Sequence, residues 1–225
     1  MLAQYRHLKE KDEALKDNAN PQGDKYELFR GDFRTLCQSL ESNSIDCIIT
    51  DPPYSESYLQ LNGDLAEMAS RLLKQGGSLL IISGLMFLPQ LLAQVEHHLS
   101  YQWTLAFVMG TGTARVWQRK VCQAWKPILW FVKGKYEGPW VTDVIRSGLL
   151  EKELDDWQQP QMVSDKLISD FAKPNETILD PMMGTGTTGV SAVLAGMHFI
   201  GCELDKDKFA IAKRRLHNAI EGISE

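Results

Sequence analysis

Two short stretches of this chain carry residue types that could do chemistry. The first is Asp51-Pro52-Pro53-Tyr54, which directly follows the apolar run Ile45–Thr50 (IDCIIT). An exocyclic ring amine is a poor nucleophile because its lone pair is conjugated with the ring. Two acceptors aimed at its N–H groups favour the pyramidal geometry that frees that lone pair. The Asp51 carboxylate and the Pro52 carbonyl have this character, acting by preorganised electrostatics and not by covalent attack. Consecutive prolines stiffen the backbone and bring no N–H donors to compete. Tyr54 adds a flat face on which an extruded base can stack, a contact worth ~1–3 kcal/mol. Asp51, Pro52, Pro53 and Tyr54 are therefore the candidate catalytic residues. An ordinary Pro-Pro turn opened by Asp looks the same in isolation.

The second stretch runs from Asp180 to Gly189, DPMMGTGTTG, and contains the spacing Gly184-x-Gly186-x-x-Gly189. It lies between a strand-like run (TILD) and a helix-like one, with Glu203 19 residues beyond Gly184. Glycines at this spacing let backbone approach a nucleotide, and an acid near this distance holds ribose hydroxyls. Taken alone the pattern fits a nicotinamide-dependent oxidoreductase or a chance Gly-rich turn, with Asp180 a mere cap and Glu203 a solvated strand end. Asp180 separates the readings. A carboxylate at the strand end repels a pyrophosphate seated on the following helix. It suits a nucleoside whose nearby arm is cationic, and S-adenosylmethionine is such a ligand. No His or Tyr–Lys pair placed for hydride chemistry accompanies the loop. A non-catalytic DNA-binding module is the third class, opposed by the intact Asp51 and Tyr54.

These residues need a scaffold, and the pattern of the chain supplies one. Short apolar runs at Tyr26–Phe29, Ile45–Thr50, Ser78–Ser83, Trp103–Met109, Pro127–Val132, Thr177–Asp180 and His198–Glu203 read as seven strands. Helical spacing separates most of them, at Phe33–Leu40, Asp64–Lys74, Leu85–Leu99, Met162–Phe171, Gly186–Ala195 and Lys206–Ile220, with a solvated helix over His7–Lys16. The class is α/β, a doubly wound and mostly parallel sheet. Trp103–Met109 and Pro127–Val132 lack a helix between them and predict an antiparallel pair at one edge. Residues 1–24 form a polar extension. Residues 25–225 form a single domain, with a small recognition insertion around 110–160 where the connections are long.

Composition is that of a folded soluble protein, with 44% hydrophobic and 24% charged residues among 225. That excludes disordered and collagen-like chains. The four cysteines show no C-x-x-C spacing, which reads as reduced thiols without a zinc site. No apolar run is long enough to span a membrane, and the amino terminus lacks a signal-peptide pattern. The net charge of −5 argues against indiscriminate nucleic-acid binding, yet residues 101–140 hold six Lys/Arg against one acid and five of the six tryptophans. Arg115, Arg119 and Lys120 in this basic stretch are the candidate DNA contacts. Trp103, Trp125 and Trp130 read as core residues of edge strands. Lys206, Lys208, Lys213, Arg214 and Arg215 on the closing helix read as a solvated face.

D-P-P-Y with a D-P-x-x-G-x-G-T-T loop resembles the amino-group DNA methyltransferases, which act on N6 of adenine or N4 of cytosine. The resemblance runs from Tyr26 to Ala219. Because the tetrapeptide precedes the loop, the order is similar to the circularly permuted beta class. It implies a Rossmann-like class I methyltransferase fold that uses S-adenosylmethionine. Asp32, in Gly31-Asp32, is then expected at the cofactor adenine. Asp180, Met182, Gly184, Thr185, Gly186, Thr187 and Glu203 are expected to line the rest of the cofactor, and Gln158 to help seat its methionine end. Gln159 replaces a lysine of the family pattern, and Met182 a phenylalanine. Asp in first place of the tetrapeptide leans towards adenine N6 in a flipped base of double-stranded DNA, with cytosine N4 the alternative. RNA or protein-glutamine methylation is a further, weaker one. Cys122 lies in V-C-Q, not the P-C-Q of cytosine-C5 chemistry. The resemblance implies no metal and no membrane. It implies a cytoplasmic place in a bacterial or phage-infected cell, and it extends to a homodimer and a cognate restriction endonuclease as further partners.

Overall fold

The computed structural model describes residues 25–109, 114–146 and 161–223. The polar extension, its helix, the segment 147–160 with Gln158, and residues 110–113 of the insertion lie outside the described residues. Among the described residues, the strands are β1 (Tyr26–Arg30), β2 (Ile45–Thr50), β3 (Leu73–Ile82), β4 (Ser100–Val108), β5 (Ala114–Val116), β6 (Val121–Gln123), β7 (Trp125–Val132), β8 (Val144–Arg146), β9 (Thr177–Asp180) and β10 (His198–Glu203). The helices are α1 (Phe33–Leu36), α2 (Leu59–Leu72), α3 (Leu88–Glu96), α4 (Gln161–Phe171), α5 (Thr187–Leu194) and α6 (Lys206–Glu221). Eight strands form one sheet in the order β1-β10-β9-β2-β3-β7-β4-β8, and β5 with β6 forms a separate two-stranded ribbon.

From β1 through β3 every neighbouring pair is parallel, whereas β7 runs antiparallel to both β3 and β4. The expected antiparallel pair is thus present but does not form the rim. An eighth strand, β8, pairs parallel with β4 through Ala106–Val108 and closes that side. Three residues, Val-Ile-Arg, inside a long irregular stretch carry too little periodicity to announce a strand. α2 starts five residues ahead of the expected Asp64, and Lys74–Gly77 belong to β3 instead of closing the helix.

Strand alternation sorts the apolar residues onto two faces. Cys47, Ile49, Leu80 and Ile82 point to the face covered by α4, α5 and α6, where Val163, Leu167, Val190 and Leu216 meet them. Ile48, Leu79 and Ile81 point the other way, against Leu65, Ala69 and Leu72 of α2 and Leu91 and Val95 of α3. Both faces of the central strands are therefore covered, which is why their sequences read as unbroken apolar runs. Trp130 is buried as expected, donating its indole N–H to Ser78 Oγ at 3.0 Å between the edges of Tyr136 and Phe171. Trp103 is not: it stays 54% exposed, on the part of β4 that precedes the β8 pairing at Ala106–Val108. Trp125 is half-buried. Arg215 departs from the solvated face expected of α6 and is 4% exposed.

The first strand pairs with the last, Tyr26 opposite Phe199 to Arg30 opposite Glu203, and α6 packs on β1. The elements at the two ends of the described residues thus meet. α5 lies close on β10 because Gly189 leaves room for the buried Phe199 ring. A Cβ at Gly189 would stand 2.5 Å from Phe199 Cε1 and 2.8 Å from Cδ1. Gly189→Ala should accordingly lower the urea midpoint by an amount equivalent to ~1–3 kcal/mol. An unchanged midpoint would show that the helix can move off the sheet freely.

Candidate active site

The site is built where neighbouring strands send the chain in opposite directions. β9 and β2 are paired and parallel, with Cys47 opposite Ile178 and Ile48 opposite Leu179. Beyond its carboxyl end β9 continues through α5 to β10 on one side, while β2 continues through α2 to β3 on the other. Such a reversal leaves a crevice at the carboxyl edge. It holds a cleft of about 1090 Å³, lined by Asp51 to Tyr54 from the end of β2 and by Asp180, Met182, Gly184, Thr185 and Thr187 from the end of β9. Glu203 at the end of β10 and Asp32 after β1 complete the row. Two motifs far apart in sequence are therefore walls of one cavity.

The carboxylates differ in setting. Asp180 is buried and accepts from the Met182 amide at 3.1 Å. Burial pushes its pKa up to about 7; the Met182 amide and the Thr50 and Thr188 side chains oppose the rise, and neighbouring Asp51 adds to it. Glu203 is held on both oxygens, Oε2 by the Gly184 amide at 2.8 Å and Oε1 by the Asp205 amide at 2.7 Å. Its position is thus fixed while lone pairs stay available to a diol. Asp32 caps α1 through the Arg34 amide and meets the Arg34 guanidinium at 2.5 Å, which holds its carboxyl below the usual range.

The glycine loop is braced from below. Gly186 does not line the cleft. Its φ is +83°, and a Cβ there would come within 2.9 Å of Ala212 Cβ and 3.0 Å of Leu216 Cδ1 of α6. It is a close-packing position that lets the loop rest on α6. Arg215, from the same helix, donates from Nη1 to the Thr185 carbonyl at 3.0 Å and to Thr187 Oγ1 at 3.2 Å. The Thr185 carbonyl is thereby held towards α6.

At the tetrapeptide the Tyr54 hydroxyl donates to Asp51 Oδ1, and burial together with that carboxylate raises the phenol pKa. Lys126, at the start of β7, reaches into the cleft. Its Nζ lies 3.5 Å from Tyr54 Oη and 5.2 Å from the centre of the Tyr54 ring. Gly84, after β3, stands behind the ring. Asp51 thus faces both Tyr54 and the Asp180 wall.

Sequence reasoning missed Arg34, Lys126, Ser164, Lys206 and Lys208 as cleft-lining residues, and Arg215 as the brace. For Lys206 and Lys208 the signal was adjacency to Glu203. For Lys126 and Arg215 no spacing rule applies, because each meets a partner on an element distant in sequence, the end of β2 for Lys126 and the glycine loop for Arg215. Arg115, Arg119 and Lys120 lie on the β5–β6 ribbon, outside the cleft lining.

An α/β fold with these carboxylates and a glycine loop at its switch point defines a nucleoside-binding transferase of the methyltransferase type. A DNA methylase family model of the N6/N4 amino-group type matches residues 45–161 and 156–214, and the chain belongs to that family. The type II methyltransferase M.HinfI of Haemophilus influenzae is 24% identical over 84% of this chain and 67% of its own length. M2.LlaDCHI of Lactococcus lactis is 39% identical, but over 32% of this chain and 29% of its own length. Among solved structures, M1.HpyAVI bound to its SAM cofactor superposes with a TM-score of 0.69 at 26% identity, covering 85% of this chain and 98% of that one. The cytosine-N4-specific PvuII methyltransferase shares the fold, with a TM-score of 0.75 at 15% identity over 88% of this chain and 92% of its own. The family uses S-adenosylmethionine.

Asp180 generates a prediction that needs no ligand. Its folded-state pKa of about 7 lies above the ordinary 3.8, so the folded chain binds this proton more tightly than the unfolded chain. The stability that protonation provides is complete below the unfolded value and is lost as pH rises through about 7. Urea midpoints of Asp180→Asn relative to the parent protein should therefore rise between pH 4 and 7 and level off above. Parallel curves would place the carboxyl in a better-solvated setting.

Proposed function

We propose that this chain transfers a methyl group to N6 of adenine in double-stranded DNA. The observation that carries the reading is the meeting of Asp51, Tyr54 and the buried Asp180 in one cleft at the switch point. Asp51 and the Pro52 carbonyl are the acceptors that orient the amine, and Tyr54 is the face on which the extruded base stacks. Pro53 keeps the loop stiff. Asp51 also stands where a proton released by the amine can be taken up.

The residues present fit S-adenosylmethionine. Glu203, fixed by two amides, suits the ribose diol, and Asp32 lies beside it for the adenine amine. Asp180, Met182, Gly184, Thr185 and Thr187 line the arm side, where a buried carboxylate favours positive charge. When bound, the cofactor supplies an activated methyl group on a sulfonium. The tetrapeptide's place ahead of the glycine loop, with first strand beside last, supports the circularly permuted class. Residues 110–160 would be the recognition insertion, with Arg115, Arg119 and Lys120 on phosphates. Cytosine N4 is the second reading, since the same acceptor pair serves its amine and an N4-specific enzyme shares the fold.

Expression in a methylation-free host followed by single-molecule sequencing should reveal N6-methyladenine in one sequence context. N4-methylcytosine would favour the second reading, and unmodified DNA would overturn both. Asp51→Ala should cut transfer by ~10²–10³-fold, the scale of a lost transition-state group, while calorimetry shows cofactor affinity largely kept. Tyr54→Phe, which keeps the stacking face and releases the Asp51 oxygen, should retain far more activity than Tyr54→Ala. Equal loss in both would shift the role of Tyr54 from its ring to its hydroxyl.

A further inference from the structure

The antiparallel β4–β7 ladder does not stop at the sheet. Beyond the last β3–β7 pair, Ile82 opposite Ile128, β4 and β7 stay paired to Val108 opposite Trp125, and the Met109 amide then donates to the Ala124 carbonyl at 3.1 Å. The β5–β6 ribbon follows, from Ala114 opposite Gln123 to Val116 opposite Val121. Gln123 Nε2 ties back to the Trp125 carbonyl at 2.8 Å. This ribbon therefore rises from the carboxyl edge of the sheet beside Lys126, the residue over the Tyr54 ring. At about 3.4 Å per residue, no more than ~17 Å of strand separates Val121 from Lys126.

Its tip is an ordered turn. The Arg119 amide bonds the Val116 carbonyl at 3.1 Å, the Lys120 amide bonds the Trp117 carbonyl at 3.3 Å, and Lys120 adopts a left-handed φ of +55°. The turn presents Trp117, 74% exposed, with the Arg115 guanidinium 5.6 Å from its ring. An indole held out into water costs apolar hydration, and among the described residues the ring's partner is the Arg115 guanidinium. Residues 114–123 carry three cations and no acid in a chain of net charge −5. An aromatic plate framed by cations alone complements stacked bases between phosphates.

We infer that the β5–β6 hairpin opens the duplex: Trp117 enters the base stack in the gap left by the extruded target nucleotide, and Arg115, Arg119 and Lys120 hold the flanking phosphates. This rests on DNA being the substrate, and it adds a positioning residue that never touches the reacting atoms. The role is needed only where a base must be pulled out of an intact stack.

The test uses the full chain and three DNAs of one sequence, containing the site mapped by sequencing: an intact duplex, a duplex with an abasic position opposite the target base, and the single strand. Methyl transfer by Trp117→Ala should fall at least tenfold on the intact duplex and stay within about threefold of the parent protein on the other two. Trp117→Phe should recover most of the loss. Arg119→Gln with Lys120→Gln should instead weaken binding to both duplexes and flatten the salt dependence by about one unit of slope per lost contact. Full activity of Trp117→Ala on the intact duplex, or equal loss on all three DNAs, would overturn the inference. A parent protein inactive on every DNA would overturn the underlying function instead. Trp117 is exposed, so an unchanged melting temperature should accompany each result.

Discussion

Two carboxylates ending neighbouring parallel strands are the constraint around which the rest of this molecule is arranged. Asp51 and Asp180 are brought together by the β2–β9 pairing, and Asp180 is buried as well. Burial in this dry crevice is what chiefly raises the Asp180 carboxyl towards neutrality, and the neighbouring Asp51 carboxylate adds to the rise. A cation arriving between them relieves both. This suits the proposed cofactor placement, with positive charge near the switch point and hydrogen-bonding groups towards Glu203 and Asp32. Catalysis of this type needs no covalent nucleophile, only acceptors already in place when charge develops.

The glycine loop shows how much of a binding site is held from behind. Gly186 allows the loop to sit on α6, and the buried guanidinium of Arg215 takes up a loop carbonyl and the Thr187 hydroxyl. The Gly184 amide of the same loop in turn fixes Glu203. Loop, acid and helix form one connected unit, so the geometry of this side of the cleft depends on residues outside its lining.

The base side is organised differently. Tyr54, Asp51 and Lys126 satisfy one another across the ends of β2 and β7. Under the proposed function, an entering base has to separate the ammonium from the ring face and compete for the carboxylate. The ribbon that continues β4 and β7 past the sheet edge lies next to this trio. The ribbon and Lys126 thus share one strand pair, while Asp51 and Tyr54 come from the end of β2.

The sequence by itself determined the strands of the parallel half, the carboxyl-edge placement of Asp51 and Asp180, and the glycine loop. Unbroken apolar runs between helical stretches and special backbone residues at fixed spacing are local properties, and local patterns survive in a string of letters. It also marked the basic, tryptophan-rich stretch. Only tertiary structure decided that Trp103 is half exposed while Arg215 is buried, because burial depends on what lies on the other side of a sheet or loop. Only tertiary structure added β8, which exists because β4 offers it an edge, and brought Lys126 onto Tyr54 from 72 residues away. Strand order joins such residues, and strand order is set by which faces and edges find cover, a property of the whole chain and not of any window within it.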